Sequence, residues 1–177
     1  TDSALVDALF ASLVVQKTVS LDGTCPGSET VFAVAGQAVT TCYHVINTGD
    51  LPVTGVVIDD GGVSTPVGDL GPRESGSASV TAPAGGDTNS TAVASGINGG
   101  NGNPVASPPD AAIVDVVHPA LVIDKTVSLD GTCPGVELVS SLENQMVTFC
   151  YTVTNTGDTA VSGVVIDDGG RSLPLPN

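Results

Sequence analysis

Residues 17–27 read KTVSLDGTCPG, and residues 125–135 repeat the same eleven residues without change. At the same offset of 108 positions, the run GVVIDDGG at residues 55–62 recurs at residues 163–170. Across residues 13–69, 36 of the 57 positions match their partners with no gap. Two unrelated segments do not agree at this level, so the sequence indicates a tandem duplication with a period of 108 residues.

The duplication predicts where the domains begin and end. Residues 1–12 align with residues 109–120, so they are expected to be the closing strand of a preceding copy. Residues 13–120 would be one complete copy, and residues 121–177 the N-terminal half of the next. Two explanations of the partial copies stay open. The sequence belongs to a longer array, or strands from neighbouring chains complete the half-copy by strand addition.

Each copy reads as β-structure. Residues 39–46 are rich in β-branched residues, and the period of a strand puts Val39, Thr41, Tyr43 and Val45 on one face, which is the predicted core face. The candidate strands of the complete copy are residues 39–46, 53–58, 77–81, 91–95 and 112–117. Turn residues separate them, and NGGNGN at residues 98–103 predicts a hairpin loop. This spacing, in a unit of about 100 residues, predicts an all-β chain of immunoglobulin-like sandwiches.

One segment is ambiguous between helix and strand. Residues 4–15 place Leu5, Leu9 and Leu13 four positions apart, as in an amphipathic helix. Their partner segment, residues 112–123, is rich in β-branched residues and is interrupted by Pro119. Because equivalent segments of a duplication share a structure, we expect a strand followed by a short junction.

Four cysteines allow three disulfide pairings. The duplication favours one bridge in each copy, Cys25 with Cys42 and Cys133 with Cys150. Such bridges are typical of an oxidising, extracellular compartment. A zinc site is disfavoured, because two cysteines separated by sixteen residues without a nearby histidine do not form a tetrahedral ligand set.

The charge excludes several classes of partner. Four basic residues against nineteen acidic ones give a formal net charge of −15. Nucleic acids and anionic membrane surfaces require clustered lysine and arginine, so neither is an expected partner. No apolar run reaches eighteen residues, and no membrane insertion is expected.

The sequence resembles a known family of repeats. The run CYHVINTGD at residues 42–50, followed by VTGVVIDD at residues 53–60, resembles the surface-protein repeat called domain of unknown function 11. DLGPRES at residues 69–75 and TNSTA at residues 88–92 extend the likeness. The resemblance implies tandem immunoglobulin-like modules in secreted stalks, adhesins or filaments. The TCPG element with its paired cysteine resembles versions found in algal mastigoneme glycoproteins.

Sequence features that would support catalysis are sparse. The two histidines, His44 and His118, align with Thr152 and Phe10, so neither belongs to a role common to the copies. No serine lies in a nucleophile elbow, and no glycine run matches a phosphate-binding loop. We therefore expect no enzymatic activity.

Acidic pairs are the candidate metal ligands. They stand next to Gly-Gly at two equivalent strand ends and comprise Asp59, Asp60, Asp167 and Asp168. Carboxylates from converging loops could hold Ca²⁺, although the spacing is not that of an EF-hand. The alternative is turn chemistry, in which each aspartate caps its own turn. No other cofactor is expected.

The remaining features indicate an extracellular structural glycoprotein. Asn89-Ser90-Thr91 is an N-glycosylation sequon. The junction at His118-Pro119 is short, and proline restricts its backbone, so consecutive modules should be joined stiffly. We expect a spacer, or the subunit body of a cell-surface filament or stalk, whose partners are neighbouring copies of itself. The alternative is an adhesin module that binds carbohydrate or protein, with or without Ca²⁺.

Overall fold

The computed structural model describes residue 2 and residues 4–175. Every regular element among these residues is a β-strand, which confirms the predicted all-β class. The strands are β1 (Leu13–Ser20), β2 (Thr30–Val34), β3 (Ala38–Asn47), β4 (Val53–Asp60), β5 (Val63–Leu70), β6 (Ser75–Pro83), β7 (Thr88–Asn98), β8 (Pro104–Ala106), β9 (Asp110–Val117), β10 (Leu121–Ser128), β11 (Thr148–Asn155), β12 (Val165–Asp168) and β13 (Arg171–Pro174). The chain forms two compact units, the second beginning at Val117.

The first unit consists of two antiparallel sheets. One has the strand order β1-β3-β6, and the other has the order β2-β9-β7-β4-β5, with β8 paired to β7. Of the core face predicted for residues 39–46, Val39, Tyr43 and Val45 belong to the core and Thr41 is half-buried. Thr40 and Cys42 on the opposite face are also buried. The loop at residues 98–103 joins β7 to β8 as a hairpin.

Two clusters form the core of the first unit. The larger joins both sheets and contains Leu13, Val15, Tyr43, Val45, Val53, Val56, Ile58, Leu70, Ala92 and Ala94. The smaller contains Val19, Ala33, Val39, Ala84, Ala112, Val114 and Val116. Burial of these apolar side chains on both inner faces holds the two sheets together.

Strand β5 has no counterpart among the predicted strands. The turn before it consists of Gly61 and Gly62, whose φ angles are 62° and 87°. Two consecutive positive φ angles are those of a two-residue hairpin, which glycine adopts without strain. The Gly-Gly run therefore turns the chain directly back into β5, with Asp60 opposite Val63.

The second unit contains two pairs of strands. β10 and β11 pair with the register of β1 and β3 displaced by 108 residues, so Leu121 faces Asn155 as Leu13 faces Asn47. β12 and β13 form a separate hairpin. Residues 138–142 are not a strand, although their equivalents form β2. In the first unit β2 lies beside β9, and within residues 117–175 no strand occupies the position of β9.

The N-terminal segment differs from the expected closing strand. Thr1 and Ser3 lie outside the described residues, and residues 2 and 4–12 form neither a strand nor a helix. A strand requires a partner strand, and none of the described strands pairs with this segment. Its C-terminal end is attached to the turn after β3, where the Phe10 carbonyl accepts a hydrogen bond from the Asp50 amide at 2.8 Å.

Candidate functional site

A buried lysine lies at the centre of the first unit. The alternation of β1 places Lys17 on the same face as Leu13, Val15 and Val19, and only 1% of its surface is exposed. Lysine is almost never fully buried unless its ammonium group is paired. The position therefore requires acceptors inside the sandwich.

Three residues supply the contacts of this lysine site. Lys17 Nζ lies 2.7 Å from Asp60 Oδ2, and it donates hydrogen bonds to the Ser90 carbonyl at 2.8 Å and to the Ser90 hydroxyl. The Tyr43 hydroxyl donates to the same Asp60 Oδ2 at 2.7 Å. Asp60 Oδ1 is buried and accepts no hydrogen bond from the described residues. Strands β1, β3, β4 and β7 thus meet at one polar cluster, which we call the Lys-Tyr-Asp cluster.

The electrostatics of the cluster favour an ionised carboxylate. Burial acts to raise the pKa of Asp60, but hydrogen bonds from Lys17 and Tyr43 outweigh burial and hold that pKa below its ordinary value. Burial, and then the hydrogen bond to Asp60, raise the pKa of Tyr43. A tyrosine with a raised pKa is a poor base and a poor nucleophile at neutral pH. The cluster joins the two sheets through side chains of four strands.

The second unit contains an equivalent cluster. Lys125 Nζ lies 2.7 and 2.8 Å from the two Asp168 carboxylate oxygens, and the Tyr151 hydroxyl donates to Asp168. The ammonium group also lies 4.7 Å from the centroid of the Phe149 ring. Hydrogen bonds from Lys125 and Tyr151 lower the pKa of Asp168. Here, however, 43% of the lysine side chain is exposed.

Disulfides join the predicted cysteines. Cys25 is bonded to Cys42 and Cys133 to Cys150, each pair with a Cα–Cα distance of 5.7 Å. Because side chains alternate along a strand, Cys42 points away from the face that carries Tyr43. Each bridge therefore ties a loop to the side of its sheet opposite the Lys-Tyr-Asp cluster.

The loop before each bridge is organised by an aspartate. The Ser20 hydroxyl donates to Asp22 at 2.6 Å, and the Thr24 amide and hydroxyl donate to the same oxygen. These hydrogen bonds lower the pKa of Asp22 to about 2. Asp130 has the same arrangement with Ser128 and Thr132, and its pKa is also lowered to about 2.

The two aspartates of each acidic pair have different environments. Asp60 and Asp168 belong to the Lys-Tyr-Asp clusters. Asp59 accepts a hydrogen bond from the Gly62 amide at 3.2 Å, and Asp167 accepts one from Gly170 at 3.3 Å. Successive side chains of a strand point to opposite faces, so the members of a pair do not converge. Within the part of the chain that the structure describes, no three His, Cys, Asp or Glu side chains are close enough to hold a metal ion.

In each unit, the Asn-Thr-Gly-Asp turn is hydrogen-bonded to the segment that immediately precedes the unit's first strand, β1 or β10. Asn47 is fully buried, and its side-chain amide donates to the carbonyls of Leu51, Leu70 and Gly71. At Gly49, an added Cβ would lie 2.5 Å from the Phe10 carbonyl oxygen. Close approach of two backbones thus requires glycine at this position.

The equivalent turn in the second unit anchors the junction residues. The His118 amide donates to Asp158 Oδ1 at 2.5 Å, and the Thr156 amide donates to the Ala120 carbonyl at 2.9 Å. At Gly157, an added Cβ would lie 2.3 Å from the His118 carbonyl oxygen. Residues 118–120 are therefore fixed to the turn that follows β11.

Two further features lie on the surface of the first unit. Asn89 of the sequon is exposed on β7, opposite Ile113 of β9. A groove of about 730 Å³ begins at the edge of β1 and extends to His44 of β3 and Ser77 of β6, and its polar lining includes Gln16, Glu29 and Asp110. The Lys17 amide on this edge donates to Asp110 Oδ2 at 2.6 Å.

The Lys-Tyr-Asp cluster and the buried Asn47 are not among the sites predicted from the sequence. A signal was available, because Lys17, Tyr43, Asp60 and Asn47 are all identical in the other copy. The alternation of residues 13–19 also places a lysine among apolar residues of one face. A charged residue on a predicted core face indicates a buried partner.

Comparison with known proteins yields distant structural likenesses, one of which is described here. No protein-family model matches the chain, and no curated protein matches it. The chain is similar to the crystal structure of the CARDB domain of the PF1109 protein from Pyrococcus furiosus, which was solved in complex with di-metal ions. The identity is 16%, the TM-score is 0.39, and the match covers 63% of this chain and 99% of that one. A likeness at this level carries no conclusion about function.

The described residues contain no helix that is long and apolar enough to cross a membrane.

Proposed function

We propose that this chain is a non-catalytic structural part of an extracellular glycoprotein built from tandem immunoglobulin-like repeats. It acts as a spacer, or as the subunit body of a cell-surface filament or stalk, with neighbouring copies of itself as partners. The observation that carries the proposal is that both units use the same stabilising elements. These are the Lys-Tyr-Asp cluster, the disulfide and the Asn-Thr-Gly-Asp turn.

Each element supports a mechanical role. The disulfide covalently ties a loop to a strand in each unit. Residues 118–120 are hydrogen-bonded to the turn after β11, and only three residues separate β9 from β10. A short, hydrogen-bonded junction containing proline restricts rotation between consecutive modules. The net charge of −15 opposes non-specific adhesion between such chains.

Immunoelectron microscopy of the native source tests the spacer role. Antibodies against the purified chain should label extracellular filaments or stalks at regular intervals. Intracellular labelling, or free thiols at the four cysteines in the native material, would contradict the proposal.

An adhesin is the second candidate, and the groove beside β1 favours it. Gln16, Glu29 and Asp110 line this groove with polar groups able to hydrogen-bond a sugar or a peptide. Glycan and protein arrays probed with the purified chain distinguish the two roles. A spacer should bind no array component, whereas saturable binding that Gln16→Ala removes would identify an adhesin.

A further inference from the structure

The outer face of the larger sheet of the first unit carries two exposed apolar side chains. On β2, Val31 and Ala33 pack into the smaller core cluster, so Phe32 between them points outward and is 64% exposed. It is the most exposed of the five aromatic side chains. On β9, the neighbour of β2, the residues on either side of Ile113 belong to the same cluster, so Ile113 also points outward and is 41% exposed. We call Phe32 and Ile113 the outer apolar patch.

The glycosylation sequon is in register with this patch. β7 pairs antiparallel with β9, and Asn89 lies opposite Ile113. Ser90 points inward, because its carbonyl and hydroxyl accept hydrogen bonds from Lys17. Its two neighbours, Asn89 and Thr91, are exposed and therefore share the outer face with Ile113. The asparagine and the hydroxyl residue that define a sequon thus stand beside an apolar side chain.

The spacing allows a sugar on Asn89 to cover the patch. Side chains that lie directly opposite on paired strands have Cβ atoms about 4.5–5.5 Å apart. In the strand order β2-β9-β7, Phe32 lies one strand beyond Ile113, about 10 Å from β7 at the usual strand spacing. The side-chain amide of Asn89 is hydrogen-bonded to none of the described residues, so no internal contact holds it away from Ile113.

The chemistry of a pyranose ring suits this surface. Its hydroxyls lie around the edge of the ring, whereas its C–H groups form an apolar face. Packing that face on Ile113 and Phe32 removes apolar surface from water and leaves the hydroxyls solvated. The aromatic ring adds an attraction between the C–H groups and its negative face. A sugar bonded to Asn89 is already held beside the patch, so it contacts the patch without the entropic cost of association that a free ligand has.

We propose that Asn89 carries an N-linked glycan whose first N-acetylglucosamine packs on Ile113 and whose second reaches Phe32. The inference rests on the proposed extracellular glycoprotein, because N-glycans are added to secreted chains. A transferase of the secretory pathway joins Asn89 Nδ2 to C1 of the first sugar. The amide loses a proton to the medium, and the C1–O bond to a lipid-linked pyrophosphate breaks with its electron pair leaving on the lipid pyrophosphate. The glycan then covers this face of the sheet, so neighbouring copies make lateral contacts elsewhere on the module.

Glycosylated and unglycosylated forms of the same polypeptide test the proposal. The 177-residue chain is secreted from a yeast, and endoglycosidase H trims its glycan to the first N-acetylglucosamine. The unglycosylated form comes from a bacterial periplasm without N-glycosylation enzymes, where disulfides still form. Intact-mass measurement of the trimmed chain should show the mass of one added N-acetylglucosamine, and peptide mapping should place it on Asn89.

NMR spectroscopy of the isotope-labelled chains measures the contact with the patch. The trimmed form should show nuclear Overhauser effects between protons of the sugar ring and the methyl groups of Ile113. The Ile113 amide, which donates to the Glu29 carbonyl, should exchange at least about threefold more slowly than in the unglycosylated chain. Resonances of the Phe32 ring should move only when the untrimmed glycan is present.

Two variants localise the contact, each compared with its own unglycosylated form. Ile113→Thr keeps a β-branched residue on β9 and should abolish both the Overhauser effects and the slower exchange. Ile97→Thr is the matched control, because Ile97 is 46% exposed and lies eight positions after Asn89, about 27 Å along β7. This variant should keep both effects.

Four outcomes would overturn the proposal. They are an unmodified Asn89 in the secreted chain, a sugar without Overhauser effects to Ile113, and equal slowing of exchange in Ile113→Thr. The fourth is protection of the same amide that increases with the concentration of the unglycosylated chain, which would identify a second copy as the occupant. These results leave the spacer role intact, since that role is tested by the location of the native protein. Intracellular labelling would in turn contradict the spacer role without changing the result for the recombinant chain.

Discussion

A lysine on the inward face of β1 determines how the two sheets of the first unit meet. Lys17 contacts Asp60 on β4 and Ser90 on β7, while Tyr43 on β3 contacts the same carboxylate. Desolvating an ion pair costs several kcal/mol per ion, so such a pair adds little net stability compared with apolar residues. The pair nevertheless restricts how the two sheets can pack, because the Lys17 ammonium group and the Tyr43 hydroxyl must both reach Oδ2 of Asp60.

Removing the lysine alone should be severe. Lys17→Met leaves Asp60 buried without its cation, and we expect a loss of about 3–5 kcal/mol in the free energy of unfolding of the first unit. Hydrogen exchange of the β3 amides measures this loss. The double variant Lys17→Met/Asp60→Asn should recover part of it, because the uncompensated charge is then absent.

The equivalent, more exposed lysine of the second unit, Lys125, provides the matched control. Lys125→Met makes the same chemical change where 43% of the lysine side chain contacts solvent. Its effect on β11 exchange should be much smaller than that of Lys17→Met on β3. Equal effects at the two positions would show that burial does not govern the contribution of the lysine.

The two loop aspartates should make stability depend on pH in the acid range. Folding lowers the pKa of Asp22 and Asp130 from 3.8 to about 2. As the pH falls from about 4 to about 2, the unfolded chain takes up protons that the folded chain does not, so the free energy of unfolding decreases. Thermal melts between pH 2 and 5 measure the slope. Ser20→Ala and Ser128→Ala should flatten it, and an unchanged slope would contradict the assignment.

At the scale of elements, neighbouring strands decide which segments become strands. Residues 30–34 form β2 beside β9, whereas the equivalent residues 138–142 form no strand. Strand pairing supplies the hydrogen bonds that an isolated extended segment lacks. Elements fixed by local contacts, such as the disulfide-closed loops, are in contrast the same in both units.

Each disulfide closes a short loop and should stabilise its unit. The bonded cysteines are 17 residues apart in both units. Replacing Cys25 and Cys42 by serine should cost about 3 kcal/mol in the chain-entropy model. Urea denaturation under oxidising conditions measures the loss. For the first unit, the reduced wild-type protein should show the same loss, although reduction also opens the Cys133–Cys150 bridge of the second unit. A larger loss in the first unit of the variant would indicate a packing defect.

The turn after β3 should be intolerant of any side chain at its glycine. In Gly49→Ala, the new Cβ would lie 2.5 Å from the Phe10 carbonyl oxygen and 2.7 Å from the Ser12 amide. We expect a cost of about 1–3 kcal/mol, together with faster exchange of the Thr48 and Asp50 amides. Gly86→Ala is the control, because no atom lies within 4 Å of its added Cβ. Unchanged exchange in Gly49→Ala would show that residues 10–12 do not dock on this turn.

At the scale of the whole molecule, the excess of negative charge dominates the electrostatics. A net charge of −15 over 177 residues produces self-repulsion, which salt screens. The acidic side chains are nevertheless dispersed, since no three potential metal ligands converge within the described residues.

Calcium should therefore act only as part of the ionic atmosphere. Raising the NaCl concentration should increase the melting temperature, and CaCl₂ should do no more than MgCl₂ at the same ionic strength. Differential scanning calorimetry in the three salts makes the comparison. If calcium raised the melting temperature more than magnesium did, and Asp59→Asn removed that extra increase, the acidic pair would be a calcium-binding site.

The sequence by itself determined the β-class of the chain and the inward face of residues 39–46. Both depend on the two-residue period of a strand, which is local and can be read without knowing any partner. The Gly-Gly turn was equally local, although β5 beyond it was not anticipated, because its exposed residues do not alternate clearly.

Only the tertiary structure decided what the buried groups contact. Lys17 and Ser90, which are hydrogen-bonded, are 73 residues apart in the sequence. In the acidic pair, Asp59 caps a turn, whereas Asp60 binds Lys17. Likewise, residues 30–34 form a strand that pairs with β9, a segment about 80 positions later in the chain. Such contacts depend on which strands become neighbours in the sandwich, and this is a property of the assembled sheets that no local pattern contains.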